Sequence, residues 1–228
     1  MRTAPNVAGR YGGRRRLLVN CAAAAALLCA VVSGGPVRAG EPVRILAFGD
    51  SLTAGYGLAT GDAFPAKLQK RLRADGYDAV VLNAGFSGDT TAGGLSRVKW
   101  SLRDKPQYAI VEFGANDALR GIRPEVAESN LDKILARFRA AHVKVLLAGM
   151  RAPSNWGHAY QAQFDAIYPR LAAKYGVPLY PFFLDGVALD PSLNQDDGLH
   201  PTARGVDVIV DRMAPVVERL IGPRPPGG

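Results

Sequence analysis

The chain has 228 residues, 48% of them hydrophobic and 21% charged, which suits one domain with a sizeable core. Its formal charge of +8 is uneven: six of the 28 basic residues precede Gly40 and no acidic residue does, leaving 22 basic against 20 acidic residues in the body. That near balance excludes a broad cationic surface for nucleic acid. Both cysteines, Cys21 and Cys29, lie in the same N-terminal segment, so the body has no disulfide, thiol or cysteine–metal chemistry.

The N-terminus reads as an export signal. Arg14-Arg15-Arg16 precede an apolar run from Leu17 to Val32, interrupted by Asn20, and a small-residue site at Val37-Arg38-Ala39. The run is shorter than the roughly 20 residues of a membrane span. The expectation is a cleavable signal over 1–39, cleaved near Ala39, and an exported, periplasmic or secreted protein that does not span the membrane. The arginines beside Leu17-Leu18 leave both the twin-arginine and the general route open.

From Pro42 onward strands and helices alternate. Val43–Phe48 is an apolar run apart from Arg44 and ends at Gly49, the pattern of a buried strand. Phe64, Leu68 and Leu72 place a helix over 63–74, closed by Gly76. Further buried strands are predicted over 79–83, 108–113, 143–148 and 177–180. Helices are predicted over 93–102, 125–140, 160–175 and 202–220. The domain spans 40–222, and the Pro/Gly-rich residues 223–228 form a disordered tail. Such alternation implies a parallel sheet covered by helices on both faces, whose sites form beyond the carboxyl ends of the strands.

Four patches fall at that edge. They are Gly49-Asp50-Ser51-Leu52, Gly85-Phe86-Ser87-Gly88-Asp89, Gly114-Ala115-Asn116-Asp117 and Asp197-Gly198-Leu199-His200-Pro201. Ser51 is the candidate nucleophile, directly after a strand, although a serine there is also a common helix cap. His200 is the candidate base: His142 lies at the far edge of the sheet, and His158 has no acid at short spacing. Asp196 and Asp197 both lie close enough in sequence to orient the imidazole. Gly88 through its backbone, Asn116 through its amide and the Ser51 N–H are candidate oxyanion donors. Asp50, Asp89 and Asp117 read as orienters of loops, and no metal site is expected. Gly85–Asp89 is not Gly-x-Ser-x-Gly, and Gly55-Tyr56-Gly57 does not continue to a dinucleotide fingerprint.

With these blocks in hand, the chain resembles the SGNH, or GDSL-type, hydrolases, named for a Ser, Gly, Asn and His in separate blocks. The match is nearest to the periplasmic subgroup of multifunctional acyl-CoA thioesterases, lysophospholipases and arylesterases. Ser87-Gly88-Asp89-Thr90, the run from Gly114 to Gly121, Ala166-Ile167-Tyr168-Pro169 and Gln195 to Pro201 carry that nearer match. The resemblance implies a three-layer α/β/α flavodoxin-like fold with five parallel strands, and no cofactor. It implies Ser51, Asp197 and His200 as the triad and Ser51, Gly88 and Asn116 as the oxyanion site. The implied substrate is a small acyl ester or thioester. In the loop from Arg151 to His158, Pro153 and Trp156 are candidates for contact with the acyl chain; packing of Trp156 on Tyr160 is the alternative. A monomer is expected. The competing readings are a carbohydrate O-acetylesterase of the same fold and a flavodoxin-like binding or electron-transfer protein.

Overall fold

The computed structural model describes residues 41–223. The signal expected over 1–39 and the tail expected over 223–228, Pro223 apart, lie outside the described residues.

Five parallel strands form the sheet: β1 (Val43–Gly49), β2 (Ala79–Gly85), β3 (Tyr108–Glu112), β4 (Lys144–Ala148) and β5 (Leu179–Tyr180), in the order β2-β1-β3-β4-β5. The central strands lack polar alternation because both their faces are covered. Helices α2 (Phe64–Ala74) and α8 (Ala203–Ile221) pack together on one side, against β2 and β4 respectively. On the other side α3 (Thr91–Ser101) packs on α5 (Pro124–Ala140), and α5 on α7 (Ile167–Tyr175). This is the expected three-layer α/β/α arrangement. Phe48 on β1 meets Phe113 and Phe138 edge-on at 5.0 and 5.5 Å between ring centroids. Both Phe48 and Phe138 are fully buried, each worth roughly 1.5–3 kcal/mol of apolar transfer.

The register sets the site. Gly85, Gly49, Glu112, Ala148 and Tyr180 stand side by side across the five strands. The next residues of β1, β2 and β3 therefore emerge together at one edge, the edge the four patches occupy.

Three expectations need correction. The helix over 160–175 is two, α6 (His158–Asp165) and α7, with the break at Ala166. Pro169 causes it: its ring has no N–H to give residue 165 and collides with that carbonyl in a continuous helix. The second strand is not fully buried. It lies at the edge of the sheet, so several of its residues are only half covered, and it runs two residues longer, to Gly85. The fifth strand shrinks to two residues, because only Leu179 and Tyr180 pair with β4.

Candidate active site

The turn that carries Ser51 is built from close packing. Asp50 follows β1 and caps the single-turn helix α1 (Ser51–Ala54), its Oδ1 accepting from Leu52 N at 3.0 Å. Gly49 must be glycine, since a Cβ there would strike Thr53 Oγ1 and the backbone of Glu112. Ser51 is 9% exposed, so its hydroxyl faces the edge from a buried turn.

Two backbone donors and one amide face that turn's surroundings. Gly88 sits at φ 85°, with open space where a side chain would be. No acceptor among the described residues takes the Ser51 or Gly88 N–H. Asn116 begins with Ala115 the short helix α4 (Ala115–Leu119), directly after β3. Its Nδ2 donates to Asp89 O at 2.9 Å and reaches Asp50 Oδ2 at 3.3 Å. The longer of those contacts is the weaker one.

The loop after β5 carries His200 and closes on itself. Asp197 Oδ1 accepts from Leu199 N and His200 N at 2.9 and 3.0 Å, while Oδ2 meets His200 Nδ1 at 2.6 Å. Hydrogen bonds from the His200 backbone, the His200 ring and the Leu199 backbone pull the Asp197 carboxyl down to about 2. An ionised Asp197 keeps the proton on Nδ1 and leaves Nε2 as an acceptor. Nε2 lies 2.9 Å from Ser51 Oγ, across 149 residues of sequence. The rival Asp196 makes none of these bonds; the carboxylate that meets the ring is that of Asp197.

A Ser–His–Asp chain beside free N–H groups, on this sheet, matches a family of known proteins. Residues 47–208 fit the model of the GDSL-like Lipase/Acylhydrolase family. The chain belongs to that family. It is 40% identical over 185 residues to Thioesterase 1/protease 1/lysophospholipase L1 of Escherichia coli K12, covering 81% of this chain and 88% of the relative. It is 41% identical over 159 residues to an arylesterase of Vibrio mimicus, covering 69% of this chain and 80% of the relative. Among solved structures, AlinE4, an SGNH-hydrolase family esterase, is 52% identical with a TM-score of 0.68, covering 81% of this chain and 99% of that one. The resemblance drawn from the four blocks is borne out, and the protein is an ester hydrolase of the GDSL type.

Around this GDSL-type site lie groups that the sequence did not single out. Glu112, at the end of an otherwise apolar strand, is fully buried beside Asp50. Its Oε2 accepts from Thr53 Oγ1 at 2.7 Å and from Asp50 N at 3.3 Å, while its Oε1 has no partner among the described residues. Burial pushes Glu112 up to about 7; burial first and then the charge of Glu112 push Asp50 up as well. An acid ending a buried strand was the sequence signal for this pair. Gln195 is a second omission. Its backbone N donates to His200 O at 2.7 Å and its Nε2 to Tyr56 O and Pro201 O at 2.8 and 2.9 Å, tying the His200 loop to the turn that follows α1. The Tyr56 ring lies 4.5 Å from the His200 ring.

The orienting role expected of the three aspartates fits their contacts. Asp117 accepts from Thr91 N and Oγ1 at 2.8 and 2.6 Å, and Asp89 pairs with Arg97 at 2.6 Å. Among the described residues no three His, Cys, Asp or Glu side chains gather in a way that could hold a metal ion. His142 is exposed and lines a cleft at the opposite edge of the sheet with Leu135, Val143, Tyr175 and Leu220, which offers no acid and no serine. His158 is exposed at the start of α6.

Trp156 is half exposed and fastened to α4: its Nε1 donates to Ala118 O at 2.8 Å. It also meets Tyr160 at 6.3 Å, so the packing alternative is part of its environment. Pro153 is partly buried and leads into the turn that carries Trp156. The loop after β4 is thereby joined to the helix that bears Asn116.

Proposed function

We propose that the protein hydrolyses acyl esters and thioesters through an acyl-Ser51 intermediate, with lysophospholipids among its substrates. The observation that carries this reading is the continuous chain from Asp197 Oδ2 through His200 to Ser51 Oγ, at 2.6 and 2.9 Å.

His200 Nε2 takes the Ser51 proton as Oγ bonds to the substrate carbonyl carbon. The carbonyl oxygen becomes an oxyanion held by the N–H groups of Ser51 and Gly88 and by the Asn116 amide, which gives up its long contact to Asp50. The imidazolium, steadied by Asp197, passes its proton to the leaving alcohol or thiol. Water then attacks the acyl-enzyme, its proton goes to His200, and collapse releases the acid and restores the Ser51 hydroxyl. Pro153 and Trp156 stand on the acyl-chain side. Every catalytic group comes from one chain, in keeping with a monomer.

The mature enzyme begins near Gly40 and acts outside the cytoplasm, as the order of arginines, apolar run and small residues in 1–39 supports. No described helix is long and apolar enough to cross a membrane.

The test is hydrolysis of p-nitrophenyl esters from acetyl to palmitoyl, with acyl-CoA and lysophospholipid beside them. Activity on medium or longer chains is expected, and Ser51→Ala should lower turnover by about 10⁴-fold or more. Turnover that persists in Ser51→Ala would end the reading. Activity confined to acetyl would indicate the O-acetylesterase instead.

A further inference from the structure

We propose that Arg97 is the positioning residue of the oxyanion site, one guanidinium that fixes the mutual placement of all three donors. The inference rests on the function proposed above and extends it to a residue that touches no substrate.

Arg97 lies on α3, in the helix layer that covers one face of the sheet. Its Nη2 donates to Gly49 O at 2.7 Å, its Nη1 to Ala84 O at 2.7 Å and its Nε to Asp89 Oδ2 at 2.6 Å. These are the end of β1, the end of β2 and the loop beyond β2. The group is four-fifths buried, and it rests on the Phe48 ring at 4.4 Å from the centroid and on Phe113 at 5.5 Å. Contact with two rings set edge-on to each other confines the cation, and charge-assisted bonds to three acceptors fix its orientation.

Each donor is a short step from one of those bonds. Gly49 is two residues before Ser51 and shares its carbonyl with Phe86 N, which links it to the Gly88 loop. Asp89 directly follows Gly88, and its carbonyl takes the Asn116 amide at 2.9 Å. Asp89 in turn fits only because residue 93 is glycine: a Cβ there would strike its carboxylate. Lysine has one point of charge and cannot bridge three separate acceptors while stacked on a ring.

The test compares wild type, Arg97→Lys, Asn116→Ala and the double variant, with folding checked by circular dichroism and thermal melting. Arg97→Lys should lower kcat by about ten- to a hundredfold with KM within about twofold, since a misplacement near 1 Å has an effect of that size. The decisive readout is the cycle. If Arg97 acts through the oxyanion site, Asn116→Ala should have a much smaller effect in the Arg97→Lys background than in wild type. Unchanged kcat in folded Arg97→Lys, or effects of the two changes that simply multiply, would overturn the proposal. Where Arg97→Lys fails to fold, Asp89→Asn, which removes the ion pair at constant size, is put through the same cycle and judged by the same criteria. Ser51→Ala assayed beside them separates the two failures. An active Ser51→Ala overturns the hydrolase mechanism. An inactive Ser51→Ala with normal Arg97 and Asp89 variants overturns only the role of Arg97.

Discussion

The two halves of the proposed catalytic centre are held by opposite means. The Ser51 half is buried, and its bonds span long stretches of chain: Asp50 to Asn116 over 66 residues, Thr53 to Glu112 over 59, Arg97 to Gly49 over 48. The His200 half is at the surface, and Asp197 holds it through residues two and three positions away. Burial raises the carboxyls of the first half, whereas hydrogen bonding lowers Asp197 in the second. The proposed nucleophile and oxyanion donors thus depend on tertiary packing, while the proposed base is aimed by a small preformed turn that Gln195 fastens to the turn after α1.

The comparison is broken most strongly at the surface half. Asp197→Asn keeps the size of the side chain but removes the charge that fixes the His200 tautomer. Turnover should fall about 10⁴-fold in protein that circular dichroism shows to be folded. A loss of less than tenfold would mean that the turn, and not the carboxylate, aims the imidazole. The buried half comes next. Asn116→Ala should lower kcat by roughly 10²–10³ with KM nearly unchanged, since its amide serves the charge that develops in the transition state. An unchanged kcat would remove Asn116 from the oxyanion site.

The last effect is one of stability rather than rate, and it separates the halves by sign. Glu112 is raised in the fold, so the folded chain keeps a proton that the unfolded chain releases. That contribution is complete below about pH 4 and is lost as pH rises toward about 7. Asp197 is lowered, so its contribution is present above about pH 4 and is lost as pH falls toward about 2. Glu112→Gln cannot titrate. Between pH 5 and 8 its melting temperature should gain on that of wild type by roughly 5–10 °C. Parallel melting curves across that range would show that Glu112 does not hold the proton.

The same contrast explains what could be read from the chain. His200 was legible because an acid lies within a few residues of it; Asp196 and Asp197 both fit that spacing, and only the family resemblance chose Asp197. Ser51, Gly88 and Asn116 were legible as short blocks, each following a strand end. Arg97 was not, because nothing near it in sequence marks its three acceptors; only the register of β1 and β2 brings Gly49 O and Ala84 O within reach of one side chain. The half-covered faces of β2 follow from strand order, which the periodicity of that strand does not encode. The break between α6 and α7 was written in Pro169 but overridden by a continuous apolar pattern.

The central claim is a covalent bond to Ser51, and mass measurement after reaction with a p-nitrophenyl alkylphosphonate tests it directly. The account predicts one phosphonyl group per protein, on the peptide that contains Ser51, and none in Ser51→Ala. An adduct on another residue, or none in an enzyme that still hydrolyses esters, would contradict it.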